Sequence, residues 1–257
     1  MSMDAVSLTA LLPTLIAVVL LTAITTGALA AAGIAHPGSA VSAIGRGVLQ
    51  LAAISVILSG VISSPVLIAL ILVVMFAVAV TVASRRAFAR GHRGHGVIVC
   101  GSAMFAGIVT ATTVVFATGA LDLAPRYALA IGAIVIGNTM SIATLTGRGF
   151  VHAVNERWDQ VEGWLALGAT PRRATADIGR FAVREALIPS LDQTRTTGLV
   201  VLPGAFVGAI FGGISPVDAG RFQIVVLASI LCAGTITSLL IWLWEGDVKQ
   251  RPSLVAT

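Results

Sequence analysis

The stretch 65–84, PVLIALILVVMFAVAVTVAS, contains no Asp, Glu, Lys or Arg and is followed at once by Arg85 and Arg86. About 20 apolar residues in a helix match the thickness of a bilayer's hydrocarbon core. Arginines directly after such a run mark the cytosolic side. Ahead of it, Ser63-Ser64-Pro65 separates a second apolar run, because proline ends a helix and turns its predecessor away from helical dihedrals. Working outward, the neutral runs 5–45, 47–84, 94–121, 127–147, 196–217 and 222–244 predict seven spans, near 7–31, 46–63, 65–84, 96–119, 126–147, 196–214 and 220–244.

Composition agrees. Of the 257 residues, 57% are hydrophobic and only 11% charged, with a mean hydropathy of +0.99. A soluble domain carries about 25% charge. The expected class is therefore an all-α polytopic membrane protein, a single transmembrane domain over 1–257. The first run is too long for a signal peptide and is preceded by Asp4 rather than a basic residue, so it reads as an uncleaved span.

Orientation follows from the arginines. With the N-terminus outside and the C-terminus inside, 14 of the 16 basic residues fall on inner segments, and only Arg126 and Arg221 lie outside. That distribution explains the net charge of +5 by topology rather than by nucleic-acid binding. Tyr127, Trp242 and Trp244 read as interfacial anchors. Cys100 and Cys232 sit in apolar runs and read as reduced packing residues. His92 and His95 fall in an arginine-rich inner loop, and His36 beside Pro37 in another loop.

One long segment, 148–195, is polar, with seven basic and six acidic residues. Phe150, Val154, Trp158, Val161 and Leu165 form one helical stripe, so the fifth span is expected to continue into the cytosol. It stops at Gly168-Ala169. Thr170-Pro171 opens a second helix as N-cap and first-turn proline. Ala174, Ile178 and Phe181 give that helix its stripe, and Ile188-Pro189 ends it. Two uses fit this pair of cytosolic helices. The stripe lies in lipid headgroups, or the turn is a knob that docks on a soluble partner.

Within the spans, Asn138 and Met140 offer an amide and a thioether. Thr197, Pro203, Gly204 and Gly208 mark either close small-residue packing or a broken helix lining a cavity. No nucleophile–base set or paired-carboxylate site lies in the spans, so an intramembrane enzyme has no support. The only lysine is Lys249, and no Gly-Lys-Ser/Thr triplet occurs, so the chain has no Walker A loop for ATP.

Several short motifs taken together resemble the FetB-type permease family, membrane subunits of an iron-exporting ABC transporter. They are Gly137-Asn138-Thr139-Met140, Leu165 through Pro171, Ala186 through Asp192, Thr197 through Gly204, Ser215-Pro216 and Arg221 through Ile224. The resemblance implies a homodimer in the plasma membrane, paired with cytosolic ABC ATPase subunits that bind ATP and Mg. The chain itself is then expected to carry no cofactor and no metal site. Glu162, Gly168, Ala169, Thr170, Pro171, Arg172 and Arg173 would then form the ATPase-coupling tip. Asn138, Met140, Thr197, Pro203, Gly204 and Gly208 would belong to the substrate pathway. The family's Met pair after Leu-Pro-Gly is replaced here by Ala205-Phe206, which removes two soft donors for a metal. The competing class is a stand-alone secondary transporter or channel. That class normally carries ionisable residues inside its spans, and all six neutral runs lack Asp, Glu, Lys and Arg.

Overall fold

A computed structural model describes residues 8–61, 64–88 and 93–252. Among these the chain is helical, with one isolated bridge between Thr197 and Val201. It divides after Ile62 into two compact units. In the first unit, α1 (Leu8–Ala31) and α2 (Ser39–Val61) are joined by a turn in which Gly33 and His36 take positive φ. The helix α2 begins at Ser39, ahead of the start expected near Arg46. A single exposed arginine does not interrupt a helix whose other residues favour it.

The second unit holds α3 (Pro65–Ala87), α4 (Arg93–Ala117), α5 (Pro125–Glu156), α6 (Trp158–Ala166), α7 (Pro171–Ala174), α8 (Ala176–Thr196), α9 (Gly204–Phe211) and α10 (Pro216–Glu245). Prolines at the first turns of α3, α5 and α10 start those helices where their missing N–H costs nothing. Among the described residues, six helices are long and apolar enough to cross a membrane: α1, α2, α3, α4, α5 and α10.

The expected span 196–214 is not among them. Gly198 adopts φ +87, the backbone N–H of Gly198 donates to Val201 O at 2.9 Å, and helix resumes only at Gly204. The eight residues of α9 rise about 12 Å, well short of a hydrocarbon core. The composition was right for a span, but Thr197-Gly198 and Pro203 break the helix inside it.

Pro189, expected to end a helix, lies within α8. One proline removes a single intrahelical hydrogen bond, and packing on both neighbours holds the helix together. The helix α8 does not remain beyond the end of α5, where the sequence placed 148–195. It runs back between α5 and α10: Gly179 packs against the Trp242 indole, and further along Leu187 meets Gly234 where Ile142 of α5 also packs. Its inward residues are Ile178, Gly179, Ala182, Val183, Ala186 and Ser190. These are mostly small, which permits the close approach.

Where the backbones come nearest, glycine is required. A Cβ on Gly107 of α4 would strike the carbonyl oxygen of Ala233 in α10, and a Cβ on Gly179 would enter the Trp242 ring. The core is otherwise built of Ala, Val and Ile with Phe88, Met104 and Phe150.

Candidate functional site

The tip expected from the sequence to couple to an ATPase is a turn where α6 meets α7. At its apex Gly168 has φ +85, a conformation that β-carbon residues resist. Its N–H donates to Leu165 O at 2.9 Å, and the Ala169 N–H donates to Trp164 O at 3.0 Å, closing α6. Thr170 takes the N-cap position before Pro171, as read from the sequence. Its backbone carbonyl, not its hydroxyl, caps α7 by accepting from Arg173 and Ala174 at 2.9 Å. Glu162, Gly168, Thr170, Arg172 and Arg173 are exposed, while Ala169 and Pro171 are half-buried.

The apolar stripe does not face outward. Phe150, Val154 and Val161 are buried against Ala174, Ile178 and Ala182, with Trp158, Leu165, Trp242 and Val248 around them. It is therefore occupied by protein, and the headgroup reading of the stripe falls. Phe181, assigned to that stripe, is instead 46% exposed, and the Arg157 guanidinium lies 5.3 Å from its ring centre. Trp242 serves as packing for α8 rather than as a lipid anchor.

The sequence reading missed two residues of the tip. Trp164 is 48% and Leu167 82% exposed. Both lie off the buried stripe and beside the turn, which was the available signal: large apolar residues on a polar face.

The chain's tail braces this region. Arg251 Nε donates to Asn155 Oδ1 at 3.1 Å, Asn155 Nδ2 donates to Pro252 O at 2.8 Å, and Thr175 Oγ1 donates to Gly246 O at 2.8 Å. His95, read as a solvated loop residue, stands in the first turn of α4 and pairs with Glu245 at 2.7 Å. His92 lies outside the described residues.

The pathway candidates fall in two places. Asn138 and Met140 are half-buried on α5. The Asn138 amide donates to Ile134 O of its own helix at 2.8 Å, and Met140 packs on the core. Thr197, Pro203, Gly204 and Gly208 lie together on the connection before α10. Thr197 Oγ1 donates to Gln193 O at 2.7 Å, and Pro203 is the N-cap of α9. A Cβ on Gly204 or Gly208 would meet nothing within 4 Å. Small-residue packing within this chain therefore does not use them.

Two cavities bracket the bundle. One of about 650 Å³ lies between α5 and α8, with Arg148, His152, Phe181 and Glu185 in its wall. Another of about 500 Å³ opens at the opposite end, among Asp122, Arg126, Tyr127, Asp218 and Arg221. There the Arg126 guanidinium sits 4.9 Å from the Tyr127 ring centre. Asp218 Oδ2 accepts from Ser215 Oγ at 2.7 Å, and Asp218 pairs with Arg221 at 3.5 Å. Among the described residues no three His, Cys, Asp or Glu side chains converge as metal ligands.

The sequence profile of the Uncharacterised protein family (UPF0014) matches residues 12–246. The chain is 34% identical over 204 residues to the "UPF0014 membrane protein STAR2" of Oryza sativa subsp. japonica, covering 79% of this chain and 71% of that one. It is 33% identical to "Protein ALUMINUM SENSITIVE 3" of Arabidopsis thaliana, covering 79% and 74%. It is 35% identical over 135 residues to the "Probable iron export permease protein FetB" of Escherichia coli (strain K12), covering 52% and 51%. No solved structure matches.

Proposed function

We propose, from the premise that this multi-pass membrane protein belongs to the UPF0014 family, that it is the membrane subunit of an ABC exporter. Two copies pair with two cytosolic ATPase subunits, which bind ATP and Mg, in the plasma membrane. The cargo is a small solute. A metal ion is the class favoured by two relatives' names, one for iron export and one for aluminium sensitivity. The chain has no Walker A lysine, so in this reading ATP binding and hydrolysis fall to the partner.

The observation that carries the reading is the tip at Gly168. A compact, braced turn offers Leu167, Arg172 and Arg173 to solvent while its own apolar stripe is already buried. Such a knob suits a groove with an apolar floor and acidic rim. Closure of the ATPase pair would push the tip, and the bracing by Thr175, Asn155 and Arg251 would pass that push to α5, α8 and α10 as a rigid unit.

The test is co-purification of the ATPase with wild-type chain, Gly168→Trp, and Arg172→Glu with Arg173→Glu, at matched expression. Both variants should lose the ATPase and keep a normal melting profile. Equal recovery would remove the tip as the docking site. A second reading, an ion-coupled transporter acting alone, gains from the charged face of α8 lying beside the apolar helices. Transport by reconstituted chain without any ATPase would favour it.

A further inference from the structure

The six apolar helices leave one passage unaccounted for. Arg251 on Asn155, and Trp242 packed on the cluster of Phe150 and Val154, bring the end of α10 beside the end of α5. At the other side, the Tyr127 and Phe222 rings lie 5.9 Å apart and bring the two helix starts together. The chain therefore leaves α5 at one end of the bundle and enters α10 at the other. Residues 157–215 must travel its full length.

The helix α8 makes most of that journey. From Gly179 at Trp242 to Leu187 at Gly234, α8 and α10 step in opposite directions by the same number of residues. The remainder of α8 continues toward the far end, and α9 completes the passage with Phe206 packed near Gly220. Leu187 and Ile142 are level, both meeting Gly234. One turn farther out, Asn138 on α5 is level with Leu191 and Asp192 on α8.

One face of α8 is inward and apolar. On the other, Arg184, Glu185, Asp192, Gln193 and Arg195 are exposed, with Asp192 and Arg195 paired at 3.4 Å. Their helical neighbours at the same level, Gly234 and Ile142, belong to spans. Charges at that depth facing hydrocarbon are costly and rare, and normally border water.

We propose that α8 is the seventh membrane-crossing element and that its outward face walls a water-filled translocation path for a hydrated ion, with Asp192 and Asn138 as its mid-membrane contacts. This rests on the permease reading, because a face on the outside of one chain becomes a wall only when a second copy covers it. The hydropathy of α8 is low because it does not face lipid. Carboxylate and amide oxygens at one level give a hard donor pair suited to a cation shedding part of its water.

The test uses full-length chain with its ATPase in membranes, in a Cys100→Ala, Cys232→Ala background. Single cysteines replace Glu185, Asp192 and Arg195, and a small cationic methanethiosulfonate is the probe. The dry control is Val78→Cys on α3, 57% exposed. Val78 is level with Asn138 on the register set by Leu72 on Gly132 and Ala87 on Gly147. Thiolate chemistry needs water, so the α8 cysteines should react at least about tenfold faster than Val78→Cys. Gln193→Cys reports the same face without removing a charge, should the charge variants fold poorly. Rates at Asp192→Cys, Arg195→Cys and Gln193→Cys as slow as the control would overturn the proposal. Failure of wild-type chain to co-purify an ATPase sinks the permease reading instead, and is read independently of the thiol rates.

Discussion

Two adjacent helices, α8 and α10, run side by side, yet only one looks like a span in sequence. The helix α10 is apolar on nearly every side over Pro216–Glu245, with Ile224, Leu239 and Leu243 outward and Val226, Ile230 and Ala233 inward. The helix α8 matches it only inward, and outward it carries Arg184, Glu185, Asp192 and Arg195. A hydropathy window averages both faces. It finds a helix whose outer face meets lipid and misses one whose outer face meets water. The difference is worth about 3 kcal/mol for each charge placed at a bilayer centre on insertion scales, which is why such a face needs aqueous or protein cover.

The largest expected effect comes from separating the pair. Gly179→Leu drives a side chain into the Trp242 indole, which is packed on the core and has no flexible end to yield. Overpacking of this kind costs about 3 kcal/mol. A detergent melting curve should drop sharply, with α8 becoming susceptible to limited proteolysis while α4 and α10 stay protected. An unchanged curve would mean that α8 is not seated on α10.

A smaller effect is expected at the pin between the start of α8 and the end of α10. Thr175 is fully buried, and its hydroxyl donates to Gly246 O. Thr175→Val keeps the shape and leaves that carbonyl without its donor, a loss of about 1 kcal/mol. The same melting assay should show a modest shift, and coupling of ATP hydrolysis to transport should weaken more than stability does. Equal hydrolysis-to-transport ratios in variant and wild type would confine Thr175 to a purely structural role.

Much of the fold was legible residue by residue. Charge-free length located α1, α3, α4, α5 and α10 to within a few residues of their starts, and proline set three of those starts. Thr170-Pro171 and Gly168 announced the tip through local backbone rules, which need no tertiary knowledge. Most of what stayed hidden depends on long-range packing. Pro189 reads as a stop unless the neighbours that hold α8 are known. The span expected over 196–214 fails because turn residues outweigh its apolar composition. Asp192 reads as cytosolic until Leu187 is found against Gly234. Asn138 was singled out from sequence, but its level partner on α8 was not.

The most direct measurement is the sidedness of the two ends of residues 157–215. In the Cys100→Ala, Cys232→Ala background, Leu167→Cys marks the tip and Val217→Cys the start of α10. Both positions are well exposed, at 82% and 74%. A membrane-impermeant maleimide is added to intact cells and, separately, to inverted vesicles. A chain that crosses through α8 and α9 labels Val217→Cys from outside and Leu167→Cys only from the inverted face. Labelling of both from one side would contradict the crossing, and with it the path along α8.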